Sequence, residues 1–143
     1  MRVVSIAGLW VMAAAVVGLM YSHALLSSSP VVIGVQVVAV GLVLWARITF
    51  GRRSFHAAAD PTEGGLVTTG PYHFVRHPIY TAACLFCWAG ILGNVSLVSV
   101  ALGGFVVLGA FMRMLTEERL LVERYPAYRQ YAQDTKRMVP YVF

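Results

Sequence analysis

Two long stretches free of ionisable charge constrain this chain more than anything else in it. From Val3 to Ala46, 44 consecutive positions hold no Asp, Glu, Lys or Arg, and from Pro78 to Met112 another 35 hold none. A helix crossing a membrane needs about 20 apolar residues at a rise of about 1.5 Å each. The first stretch accommodates two such helices, broken at Ser27-Ser28-Ser29-Pro30, where hydroxyls and a proline end one helix and open the next. They are expected near 3–25 and 31–49. The second stretch as a single helix would run about 52 Å, too long for a hydrocarbon core of about 30 Å. Gly93-Asn94 is the natural break, giving spans near 76–92 and 95–115 joined by a tight turn.

Composition and charge agree. A length of 143 residues suits one domain, and 59% hydrophobic with only 12% charged residues sets the chain apart from soluble domains, where about 25% are charged. Disordered, collagen-like and disulfide-scaffold classes are excluded. The net charge of +5 sits at the ends of the spans rather than over a water-facing surface, so no nucleic-acid partner is expected. The turns at 27–30 and 93–96 carry no charge, whereas Arg2, Arg47, Arg52, Arg53, Arg76 and every cation from Arg113 onward lie at the opposite ends. Cytoplasmic loops carry the excess of Lys and Arg, which puts both termini and the 50–77 loop on that side. The expected fold is an all-α integral membrane protein of the cell membrane, one domain over 1–143. It has four transmembrane helices, a cytoplasmic loop, and a cytoplasmic segment 116–143 bearing an amphipathic helix.

A secretory signal peptide is the competing reading of the N-terminus, since Arg2, an apolar stretch and Ser22-His23-Ala24 imitate its three regions. The apolar stretch is longer than the usual 7–15 residues or so, which favours a span. Cys84 and Cys87 fall three apart on one helix face without histidine nearby, a pattern for packing rather than for a metal site or a disulfide framework. Ala14 with Gly18, Ala89 with Gly93, and Ser99 with Gly103 are small residues four apart that let helices approach closely.

The 50–77 loop contains the turn signals Asp60-Pro61, Gly64-Gly65 and Gly70-Pro71, and then Tyr72, His73, Arg76, His77 and Tyr80 crowd the start of the third span. Pro78 suits the first turn of that helix, whose N-terminus offers backbone N–H groups to an anion. Alternatively these residues form an interfacial belt.

A second group follows where the fourth span continues as a helix into RMLTEERLLVERY. Glu118 has Met114, Leu115, Leu121 and Val122 as its helical neighbours, all apolar, and of the neighbours of Glu117 only Arg113 can pair with it. Glu123 sits beside Arg119 as a solvated pair. A carboxylate on an apolar face must be met by a cation or a donor. A structural bridge from Glu117 or Glu118 to Arg76 is the plainest way to do so.

The words RHPIY, an apolar hairpin and then EE resemble the RHPxY and EE signature of the isoprenylcysteine carboxyl methyltransferase family, shared in part with phospholipid N-methyltransferases and membrane sterol reductases. The likeness runs from about Gly65 to Pro140 and takes in LVTTGPY, Tyr128, Tyr131 and Arg137. It implies a helical membrane enzyme that binds S-adenosylmethionine in a cytoplasmic pocket and methylates a lipophilic acceptor. By position it implies a cofactor site lined by Gly65, Leu66, Val67, Tyr72, Arg76, His77, Pro78, Ile79 and Tyr80, with Glu117 and Glu118 opposite. Arg113 would face the acceptor. Gly64-Gly65, Tyr125-Pro126 and the presence of only two preceding spans depart from the family pattern.

Methyl transfer from a sulfonium asks chiefly for alignment and exclusion of water. A carboxylate acceptor could be positioned by Arg113, whereas an amine needs a proton acceptor such as His73 or His77. An NADPH-dependent membrane reductase and a non-enzymatic scaffold are the other classes the pattern admits.

Overall fold

The computed structural model describes residues 2–51 and 66–143. Five α-helices run in the order α1 (Arg2–Tyr21), α2 (Pro30–Phe50), α3 (Pro78–Gly93), α4 (Leu97–Arg124) and α5 (Tyr128–Asp134), with a 3-10 turn at Gly70–His73. Among the described residues the only β pairing is a single parallel bridge between Val75 and Lys136. Asp60-Pro61 and Gly64-Gly65 lie outside the described residues, whereas Gly70-Pro71 opens the 3-10 turn with Gly70 at φ +59°.

Helices α1, α2 and α4 are long and apolar enough to cross a membrane. Trp10, Val17, Val31, Val37, Ile48 and Phe105 project from them unburied, a pattern that suits lipid rather than water. The third helix is as apolar but has 16 residues, about 24 Å, and so falls short of the expected 76–92 span. Arg76 and His77 do not join it because their backbone N–H groups donate to Lys136 O at 2.8 Å and Arg137 O at 2.9 Å.

One further boundary differs from expectation. The first helix stops at Tyr21 rather than near residue 25. There the Ala24 N–H donates back to Leu19 O at 2.9 Å and His23 turns to φ +54°. This early stop lets Ala24 bury and puts the Leu25 carbonyl where the Gln36 amide donates to it at 2.7 Å. A Cβ on Gly90 would collide with that same carbonyl oxygen, so the turn between α1 and α2 rests directly on α3. Helix α4 runs on beyond the span end near 115 to Arg124, as the helical neighbours of Glu117 and Glu118 require. Its start is fixed by a capping box between Ser96 and Ser99, and its charged stretch of Glu, Arg and Leu consists of good helix formers. It ends at Tyr125, forced extended before Pro126.

The segment 116–143 comprises the end of α4, the seven-residue α5, and a strap over 135–138 that runs beside 75–77.

In the bundle α1 packs on α4, α2 packs on α3, and α3 joins the two pairs. Where α1 crosses α4, Gly8 and Gly109 face each other so closely that a Cβ on either would lie 2.9 or 2.6 Å from the other's carbonyl oxygen. Gly18 abuts Leu102, Gly93 abuts Ser27, and Gly103 abuts Trp88 and Ile91, so three of the expected small positions do pack. Ala14 is exposed, and its neighbour Ala15 faces the core instead. Ala15, Leu19, Ala24, Cys87, Ile91 and Val106 form that core, with Cys84 against it.

Candidate functional site

The polar cluster of the protein gathers where α3 begins, α4 ends and the C-terminal strap returns. Because His77 N–H is taken by Arg137 O and Pro78 has no N–H, the start of α3 offers an anion fewer backbone donors than its position suggests. The strap is held by side chains too. Arg76 donates to Ala132 O at 2.6 Å and to Thr135 O, and the Thr81 hydroxyl donates to Met138 O at 2.8 Å.

The adjacent carboxylates of α4 meet different surroundings. Glu118, apolar in its helical neighbours, accepts from Arg76 Nε at 3.0 Å, from Arg137 Nε at 3.0 Å and from His77 Nε2 at 3.3 Å. The structural bridge from Arg76 thus goes to Glu118 and not to Glu117. Three partners hold Glu118, and its side chain is 13% exposed. Glu117 accepts from the Tyr80 hydroxyl and from Arg113 Nη2 at 3.5 Å, while its other oxygen lies 3.8 Å from His77 Nδ1. That last distance exceeds a hydrogen bond, and Glu117 remains 25% exposed.

Arg113 organises the Glu117 side. It donates from Nε to the Tyr80 oxygen at 2.8 Å and from Nη1 to the Ser5 carbonyl of α1 at 3.3 Å, with its guanidinium 5.9 Å from the Tyr80 ring centroid. Donation thus passes from Arg113 to Tyr80 to Glu117. The buried His77 ring stands between the two carboxylates. Its Nε2 faces Glu118, which favours the tautomer with the proton there and leaves Nδ1 toward Glu117.

Tyr72 completes the wall. The 3-10 turn buries it with its ring 5.5 Å from Phe50 at the end of α2, and the Tyr131 hydroxyl donates to its carbonyl. Burial pushes the Tyr131 phenol up to about 12, so it remains a donor throughout the neutral range. Burial and then the charge of Glu117 raise Tyr72 as well.

Tyr72, Arg76, His77, Pro78, Tyr80, Arg113, Glu117 and Glu118 therefore lie together, with Ile79 half-buried on the first turn of α3. Leu66 and Val67 are half-buried without regular structure, and Gly65 lies outside the described residues. His73 is exposed and edge-on to Phe74, so of the two histidines considered His77 is the one in the cluster. The roles of Arg137, Tyr128, Tyr131 and the Ser5 carbonyl are not anticipated from sequence. For the first three the only signal is their place in the closing Tyr128, Tyr131, Arg137 pattern.

With this geometry in view, the comparisons with known proteins are specific. Residues 30–128 match the phospholipid methyltransferase family, a stretch that includes Tyr72, RHPIY, Arg113 and both glutamates. The chain belongs to that family. Membership accounts for the shared words of the resemblance at the level of the phospholipid methyltransferase group. Over 113 residues the chain is 31% identical to the cobalt-zinc-cadmium resistance protein CzcN of Cupriavidus metallidurans, covering 76% of this chain and 46% of that protein. It is 35% identical over 114 residues to the nickel-cobalt-cadmium resistance protein NccN of Alcaligenes xylosoxydans xylosoxydans, covering 76% and 47%. The chain thus spans just under half the length of these relatives. No solved structure matches it.

Proposed function

We propose that this chain is an S-adenosylmethionine-dependent methyltransferase of the membrane, acting on a lipophilic acceptor at the cytoplasmic ends of four spans. The observation that carries the reading is the unequal carboxylate pair. Glu118 is held by Arg76, Arg137 and His77, while Glu117 is held by Tyr80 and Arg113 with one oxygen left without a hydrogen bond from these groups. Family membership supports methyl transfer as the chemistry.

The residues present suit this cofactor. A free carboxylate oxygen and tyrosine rings fit its cationic groups, and buried phenols together with a surplus of arginine fit its acceptor atoms. Leu66, Val67, Tyr72, His77, Pro78, Ile79 and Tyr80 would hold it on one side and Glu117 on the other. When bound, the cofactor supplies a methyl group whose bond to a sulfonium sulfur breaks as the bond to the acceptor forms. The chain's part is alignment. Arg113 orients Glu117 through Tyr80, and the strap and the 3-10 turn shield the cluster from water.

We assign carboxyl O-methylation as the leading acceptor chemistry, with Arg113 positioning the carboxylate, because an ionised oxygen needs no base. One observation favours an amine instead: His77 Nδ1 faces Glu117 across 3.8 Å and is suited to take a proton. Vesicles loaded with tritiated cofactor separate these readings. A methyl ester releases labelled methanol on mild base treatment, an N-methyl product does not, and absence of any transfer to lipid or lipidated acceptors contradicts both.

A further inference from the structure

Two buried hydroxyl oxygens have no hydrogen-bond partner among the described residues, Ser5 Oγ and Tyr128 Oη. Ser5 lies one helical turn from residue 1, which is not described, so its orphaned oxygen carries no inference. Tyr128 is different. It is 1% exposed, it heads the largest fully buried side chains, and its neighbours along the chain are all described.

Its ring sits edge-on to Tyr131 at 5.8 Å, and the Tyr131 hydroxyl is engaged with Tyr72 O. The Tyr128 hydroxyl accepts and donates no bond among the described residues, while the acceptors around it serve other donors: Glu118 receives Arg76, Arg137 and His77, and the Tyr72 carbonyl receives Tyr131. Burial, and after it the charge of Glu118, pushes the Tyr128 phenol up, so it stands as a proton donor at working pH. An unpaired buried hydroxyl is costly, and phenylalanine would fill the same space without that cost. The oxygen thus points to a partner that the described residues do not supply.

We infer that Tyr128 Oη donates a hydrogen bond to an acceptor oxygen of the bound cofactor, making α5 a third wall of the site beside α3 and α4. The inference rests on reading the cluster as an S-adenosylmethionine site. The acceptor oxygens that cofactor offers are its carboxylate and its ribose hydroxyls.

The test uses the full chain in detergent, titrated calorimetrically with S-adenosylhomocysteine and melted without ligand. Tyr128→Phe should weaken binding about five- to twentyfold while leaving the ligand-free melting temperature unchanged or higher, because an orphaned polar group has gone. Tyr131→Phe, which removes a donor already engaged with Tyr72 O, should lower the ligand-free melting temperature. Wild-type binding with an equal affinity for Tyr128→Phe overturns the inference alone. A lowered ligand-free melting temperature in Tyr128→Phe overturns it too, by showing that the hydroxyl serves the fold through a buried water. No binding by the wild type to either cofactor form removes the methyltransferase reading and this inference with it.

Discussion

Arg113 on α4 donates from Nε to the Tyr80 hydroxyl on α3 across 2.8 Å, and that hydroxyl donates onward to Glu117. Arg113 also caps the Ser5 carbonyl of α1, so one side chain ties three helices at the site. Arg113→Ala should take the cation from Glu117 and the ties from Tyr80 and Ser5, and reduce stability by about 2 kcal/mol. Turnover should fall about a hundredfold or more, beyond the smaller loss of cofactor affinity that follows from releasing Tyr80 and Glu117. Arg113→Lys keeps the charge without the planar fork and should recover stability better than turnover. Turnover that falls only in proportion to folded protein would reduce Arg113 to a structural pair.

The two glutamates should separate under the same isosteric change. Glu117→Gln should lower cofactor affinity by about 1.5–3 kcal/mol with a small stability loss, since it is partly open. Glu118→Gln removes the counter-charge of Arg76 and Arg137 and should instead lower stability by about 3 kcal/mol. Calorimetry and thermal unfolding on both variants check the pair, and identical behaviour would erase the distinction.

At the crossing of α1 and α4, Gly8→Val must displace the Gly109 carbonyl, whereas a Cβ on Gly41 meets nothing within 4 Å. Thermal unfolding in detergent should show Gly8→Val destabilised by about 2 kcal/mol or more and Gly41→Ala neutral or slightly stabilised.

The helical elements were legible because absence of charge marks a lipid-compatible helix whatever its partners, and Ser27 to Pro30 and Gly93-Asn94 break it chemically. The helix of the fourth span could be read through the return of charge at Arg113, since Glu and Arg extend helices as well as Leu does, and Tyr125-Pro126 stops the backbone. At the site, the oddity of Glu118 could be read from its apolar helical neighbours. Its partner Arg137 and the Ser5 carbonyl could not, because backbone acceptors and contacts across the whole chain leave no periodic trace. The strap at 135–138 is invisible for the same reason, being held largely through main-chain groups.

Orientation is tested by thiol labelling in a background where Cys84 and Cys87 are replaced. With both termini cytoplasmic, an impermeant reagent should reach Ser28→Cys, exposed in the uncharged turn, from outside intact cells. Gln133→Cys, exposed on α5, should react only after lysis. The reverse pattern would invert the topology and move the site to the other face of the membrane.

Calorimetric titration of the purified chain with S-adenosylmethionine, S-adenosylhomocysteine and NADPH tests the central claim most directly. The methyltransferase account predicts saturable binding of both sulfur cofactor forms in the micromolar range, about 7–8 kcal/mol, and none of NADPH. Saturable binding of NADPH alone, or no binding of any of the three in detergent and in lipid, would contradict it.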